Sequence, residues 1–380
     1  MRYLIRLSII AAAMAAALLG APAALAQAAA SGAGADHAVF VQTDDPAGNS
    51  IVAYARHDDG TLTWSATYPT GGNGARAAGA AVDPLASQSS LVIDREHGLL
   101  LAPNAGSNTV SVFSVSGDTL HLNQVLTSGG PFPASLGVHG DLVYVLDGGF
   151  AGYVQGYRIQ AGKLHPITGS LRSLGLGNGN PPAFLQSPAQ VGFSPDGSKL
   201  VITMKGNGGG SVYVYGVSAN GRLSGTPAIT AVGGNAFAFV FDPAGRLVIV
   251  NAAFGNLSTY TVNANGSLTL VSAGASDRQI AACWVTAANG NYYAANAGSG
   301  SLSQYTIDAN GTVVLSQSPA ATGIAGAVDM AASSDGHFLY AQSGGSGSIE
   351  AFAVNSNGSL SPVGSWAVPD GGSQEGIAAA

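Results

Sequence analysis

The sequence predicts an all-β protein: a seven-bladed β-propeller of four-stranded antiparallel blades, its ring closed by a C-terminal strand that joins the first blade. Three observations predict it. One unit recurs seven times at the period of a propeller blade. Each unit alternates short β-branched and aromatic runs with glycine-rich turns. The composition, 46% hydrophobic and 9% charged with 55 glycines in 380 residues, suits sheets packed on both faces and excludes a disordered chain.

The first segment stands outside the repeats. Arg2 and Arg6 precede an apolar run over 7–19, and Ala24-Leu25-Ala26 follows. A charged start, an apolar run and an A-x-A site predict a signal peptide over 1–26. The run is short for a membrane anchor. A flexible stretch over 27–37 and one propeller domain over 38–380 are expected after it. Loss of two arginines leaves 11 basic against 20 acidic residues, a net charge of −9. The mature chain is expected to be exported, periplasmic or secreted, without membrane contact and as a monomer. The acidic balance offers no basic surface for nucleic acid. Cys283 is the single cysteine, which excludes an internal disulfide and predicts a buried, inert thiol.

The seven units read VFVQTDDPAGNSIVAYARHDDGTL (39–62), LLLAPNAGSNTVSVFSVSGDTL (99–120), LVYVLDGGFAGYVQGYRIQAGKL (142–164), KLVITMKGNGGGSVYVYGVSANGRL (199–223), RLVIVNAAFGNLSTYTVNANGSL (246–268), NYYAANAGSGSLSQYTIDANGTV (291–313) and FLYAQSGGSGSIEAFAVNSNGSL (338–360). Their aligned aromatics are Tyr54, Phe113, Tyr157, Tyr215, Tyr260, Tyr305 and Phe352, spaced 59, 44, 58, 45, 45 and 47 residues apart. Asn265-Gly266, Asn310-Gly311 and Asn357-Gly358 predict two-residue type I′ hairpins. Asp196-Gly197, Ala244-Gly245, Asn289-Gly290 and Asp335-Gly336 mark a second turn upstream. The first unit lacks an innermost strand, and the tail Gly376-Ile377-Ala378-Ala379-Ala380 is expected to supply it, leaving no open sheet edge.

Two spacings are long, and the extra residues fall in 69–88 and 172–188. Both connect a last strand to the next first strand, on the face that also carries Asp44, Asn104, Asp147, Lys205, Asn251 and Asn296. Long loops there read as lids or binding loops, or as surface insertions. The candidate catalytic residues on that top face are Asp147, Lys205, Arg278 and Glu375, with Asp83 and Asp370 beside them. Candidate ligand contacts are Arg76, Gln190, Lys205, Arg278, Cys283 and Trp284. Lys205 stands where other blades put Asn or Asp, and reads as a solvated loop lysine or an anion contact. Trp284 reads as core packing or as a sugar platform. The repeated Asn-Ala-Gly-Ser of 104–107 and 296–299 reads as turn chemistry, with side-chain-to-backbone bonds. Four N-x-S/T sequons, at Asn256, Asn265, Asn310 and Asn357, read the same way.

Several chemistries find no motif. The Gly206–Gly210 run lacks the Lys-Ser/Thr and strand-to-helix context of a phosphate loop. The seven histidines, at 37, 57, 97, 121, 139, 165 and 337, show no metal spacing, and no G-x-S-x-G elbow is present. No metal, nucleotide, flavin or other cofactor is expected.

The SPAQVGFSPDGSKLVIT stretch, the repeated N-x-G-S-x-x-V-x-x-Y-x-V pattern and the closing GIAA resemble the lactonase-like seven-bladed propellers. That family includes propeller-type 6-phosphogluconolactonases and 3-carboxy-muconate lactonizing enzymes. The resemblance spans the mature chain and implies a hydrolase of lactones, cyclic esters, acting through a His, an Arg and a Glu at the channel mouth. At the matching positions this chain has Phe132-Pro133-Ala134-Ser135, Ala189-Gln190 and Lys205. Two functions follow: a lactonase with a relocated catalytic set, or a non-catalytic propeller binding a small lactone or sugar-like molecule, a glycan or a protein on its top face.

Overall fold

The computed structural model describes residues 37–206, 209–372 and 374–380. The predicted signal peptide, and all but the last residue of the stretch over 27–37, lie outside them. Seven antiparallel sheets follow one another along the chain, each running from an innermost first strand to an outermost fourth. No α-helix occurs among the described residues. Blade 1 takes its first strand from the C-terminus: Ile377–Ala379 pairs with Ala38–Gln42 in the register Val39↔Ala379, Phe40↔Ala378, Val41↔Ile377. The predicted closure is thereby observed.

The blades hold together through the faces between them. Val39, Val41 and Tyr54 of blade 1 pack with Tyr340, Ile349 and Ala351 of blade 7 in one buried cluster. Tyrosines add directed bonds across the same seams. On second strands, the hydroxyls of Tyr144, Tyr293 and Tyr340 donate to the carbonyls of Gly221, Gly358 and Gly60 in the next blade's outer hairpin, at 2.6, 2.7 and 3.0 Å. A buried phenol without a partner is costly, and the ring gives each of these one in its neighbour.

Two details differ from the sequence reading. The Asn-Gly hairpins are not type I′. Gly266, Gly311 and Gly358 have positive φ but their asparagines do not. Gly266 N–H donates to Asn263 O at 2.8 Å, and the Asn265 side chain accepts Ser267 N–H at 3.0 Å. That is a type I turn closed by a left-handed glycine, the three-residue hairpin loop. Asn289-Gly290 does put both residues at positive φ, as does Ala161-Gly162. Blade 3 has an interrupted outer strand, Lys163–Pro166 and Arg172–Ser173, both paired to the third.

The asparagines closing second strands bond side chains, not turn backbone. Asn104, Asn251 and Asn296 each donate from Nδ2 to the hydroxyl seven residues on, Ser111, Ser258 and Ser303, at 2.8, 2.8 and 2.9 Å. In blade 3 the position of that serine is Gln155, whose amide turns to Gly156 O and Ser170 Oγ. Asp147 is left fully buried, and burial holds its carboxyl well above the usual range.

Candidate functional site

The first long connection, 70–91, does not lie over the channel as a lid. It turns inward and fills the upper channel before entering the first strand of blade 2, Val92–Asp94. Ser87 Oγ donates to Ala134 O at 2.7 Å, and Gln88 N–H to Ala189 O at 3.0 Å. Ser135 Oγ and Trp284 Nε1 donate to Gln88 O and Ser87 O, each at 2.7 Å, while Gln88 Oε1 accepts Val285 N–H at 2.9 Å. Blades 3, 4 and 6 thus all grip this plug. Ala86 and Ser89 within it adopt left-handed φ of 53° and 62°, a strained geometry for residues with a Cβ that the surrounding bonds over-determine.

The second long connection helps to close the top. Ala78 and Ala183 form a parallel bridge between the two loops, and Ala78 N–H donates to Pro182 O at 2.8 Å. Beneath the bridge, Ala77, Leu85, Ala105, Phe132 and Ala134 form a small apolar cluster with Phe184 against it. Arg76 spans its own loop, donating to Ala81 O at 3.0 Å.

Glu375 lies under the plug with no exposed surface. Its carboxylate accepts three consecutive backbone N–H groups, from Leu85 at 2.6 Å, Ala86 at 3.0 Å and Ser87 at 2.7 Å. Its own N–H donates to Asp44 Oδ2 at 2.9 Å, and Gln42 Nε2 donates to the other Asp44 oxygen at 2.5 Å. Burial and the neighbouring Asp83 push the Glu375 carboxyl up, against the pull of the Ser87 N–H. Burial likewise raises Asp44 and Asp83.

Lys205 is the cation of this group and is only 1% exposed, not a solvated loop lysine. Its Nζ donates to Ala86 O at 2.5 Å and stands 5.1 Å from the centre of the Phe237 ring. Burial lowers its pKa to about 8, opposed by the charges of Asp83 and Glu375. The strand register explains its inward position. Met204 pairs with Ser211 as Asn104 pairs with Thr109, so Lys205 lies one residue beyond the Asn position. Counting back from the aligned Tyr54 puts Asp44 at the same place in blade 1, since Thr43 N–H donates to Ser50 O. The alignment of Asp44 and Lys205 with Asn104, Asp147, Asn251 and Asn296 was one residue out.

A similar shift applies to the first strands. Those of blades 3 to 7 carry a bulge near their start, and register aligns Ser135, Gln190, Trp284 and Asp329. Gln190 thus corresponds to Trp284. Gln190 bonds across to blade 5, accepting Phe239 N–H at 2.6 Å, and reaches Ser89 Oγ at 3.4 Å. Trp284 is core, with its ring 4.9 Å from that of Phe237. Cys283 is buried and its thiol is pushed far up by burial, so it stays protonated. Of the predicted site residues, the structure gathers Lys205, Glu375, Gln190, Cys283 and Trp284 around the plug, and Arg76 in it. Asp147 in blade 3 and the exposed Arg278 before blade 6 make no hydrogen bond or ion pair with them among the described residues.

Asp329 escaped the sequence reading, although AVD at 327–329 aligns with PAQ at 188–190. It is 3% exposed, and burial raises its carboxyl to about 7. Among the described residues no group of three or more His, Cys, Asp or Glu is arranged to hold a metal ion.

No protein-family model and no curated protein matches the sequence. Solved structures match the fold. A protein from Lactobacillus plantarum is 18% identical with a TM-score of 0.70, covering 88% of this chain and 97% of its own. The periplasmic gluconolactonase of Pseudomonas aeruginosa is 18% identical with a TM-score of 0.68, covering 90% and 98%. A candidate 6-phosphogluconolactonase from Bacteroides fragilis is 16% identical with a TM-score of 0.67, covering 91% and 99%. This chain therefore has a lactonase-like seven-bladed propeller fold.

Proposed function

We propose that this chain is an exported binding propeller that meets a protein partner with its capped top face and does not hydrolyse lactones. One observation carries the reading: the plug fills the upper channel, and its backbone engages the groups that would have to act. Lactone opening needs a base that reaches a water and a donor that reaches the carbonyl oxygen. Both oxygens of Glu375 are engaged by backbone N–H groups, and Lys205 Nζ is held by Ala86 O. Neither faces solvent.

The cap above them supports a macromolecular contact. Phe150, Leu185, Phe254 and Ile280 stand exposed on top-face connections, and large apolar side chains with few charges are the composition of an interface core. Export rests on the Arg2–Ala26 leader and on the similarity in fold to a periplasmic protein.

The test is proton release by residues 27–380 on a panel of sugar and aliphatic lactones, with Glu375→Gln and Asp329→Asn as controls. We expect the spontaneous rate throughout. Turnover above that rate that is lost in either folded variant overturns the reading. A photo-crosslinking residue placed at 254 is expected to give protein adducts in an extract of the source envelope, and one at the rim position 64 none.

A further inference from the structure

Below the plug the channel is open, towards the face opposite the cap. Two compartments, of ≈560 and ≈270 Å³, share Ser89, Arg95 and Val240 among their walls. The room has a cause in the sequence. Register sets Gly137, Gly192, Val240, Thr286 and Ala331 at equivalent places on five first strands, and none of these side chains is large enough to fill a channel. The larger compartment lies within the roughly 300–1,000 Å³ of small-molecule sites and the smaller just below it.

The smaller compartment is lined by one buried anion and one exposed cation, Asp329 and Arg95. Asp329 Oδ1 accepts Met330 N–H at 2.9 Å, and Ile377 N–H also favours its charged form. No Lys, Arg or His forms an ion pair with it among the described residues. Arg95 is tethered by a single hydrogen bond among the described residues, Nη2 to Ala379 O at 2.6 Å, which leaves most of its donor fork unused. The other charges at this mouth are Glu96 and Asp94, and Asp94 is engaged by His97 at 2.7 Å. A buried carboxylate without a counter-ion is unfavourable, and a ligand ammonium would supply one. The cation towards solvent then suits a negative group at the ligand's other end.

We propose that the lower channel is a binding site for a small zwitterionic amine of the free amino-acid class, its ammonium on Asp329 and its carboxylate on Arg95. The site is separate from the capped top face and does not depend on what that face binds.

Calorimetric titration of the mature protein tests it. The probes are the free amino acids, the same compounds without the carboxylate, and the same compounds without the amine. At least one amino acid is expected to bind, with Asp329→Asn weakening it by about 30-fold or more and Arg95→Ala by about tenfold, as for loss of a charge-assisted bond. Arg95→Ala is expected to leave the affinity for the decarboxylated probe unchanged. Ala331→Trp, which fills the compartment without altering charge, is expected to abolish binding. Each variant's melting temperature separates a folding defect from a lost site. Absence of heat with every probe, or binding that survives both Asp329→Asn and Ala331→Trp, overturns the proposal.

Discussion

At the scale of single residues, the two charges beneath the plug are not equivalent. Removing the Glu375 carboxylate orphans the buried N–H groups of Leu85 and Ser87, leaves that of Ala86 only a 3.2 Å bond to Asp83 O, and takes from Lys205 one of its two neighbouring anions. Glu375→Ala is therefore expected to cost roughly 3–5 kcal/mol, from the orphaned buried donors and the lost charge balance. Lys205→Met fills similar volume and orphans one carbonyl, while Asp83 and Glu375, whose carboxyls burial already raises, can take up protons in its absence, so it is expected to cost only about 1–2 kcal/mol. Urea denaturation midpoints of the two variants check the order. Asp329 gives a pH signature. Burial raises its carboxyl in the folded state from the ordinary 3.8 to about 7, so between these pH values the folded state holds a proton that the unfolded chain releases. That contribution is complete below pH 4 and is lost as pH rises through about 7. Asp329→Asn should match the wild type near pH 4 and exceed it by up to about 4 kcal/mol at pH 8. Denaturation midpoints measured at both pH values decide it.

At the scale of elements, the plug depends on close backbone passages. A Cβ on Gly74 would stand 2.1 Å from the carbonyl carbon and oxygen of Asp44, both backbone atoms that cannot swing away. Gly74→Ala is expected to lower stability by roughly 2–3 kcal/mol through forced backbone movement, read from the thermal midpoint, whereas Gly98→Ala, where a Cβ meets nothing within 4 Å, tests only backbone preference. The blades were legible in the sequence because each repeats the same aromatic, turn and apolar run. The plug was legible only as extra length between Tyr54 and Phe113. Its Ser, Ala and Gln residues show no periodicity, and it is held mostly through its own backbone groups, which the sequence does not encode by residue type. Asp329 was within reach, since blade-to-blade alignment of 327–329 with 188–190 identifies it. Lys205 was found but shifted by one residue, because the loop after blade 4's second strand differs in length from those of its neighbours.

At the scale of the whole molecule, one short stretch of the tail does two tasks. Residues 377–379 complete the first blade, and Glu375, two positions upstream, anchors the plug. Deleting 374–380 removes both, and the melting temperature is expected to fall by roughly 10 °C or more, with loss of Ile377–Ala379 burial and of the carboxylate. A circular permutant that joins 380 to 38 through a short linker and opens at the half-buried Gly117 turn keeps both and should melt close to the wild type.

The contact between Val39 and Ala379 also carries a kinetic consequence. It joins two segments separated by nearly the whole chain, and such a contact is among the last to form, since the entropy of closing so large a loop must be met first. A thread emerging N-terminus first therefore cannot close its ring, or seat its plug, until its final residues are free. Until then the first blade keeps an unpaired edge and the ring stays unlocked.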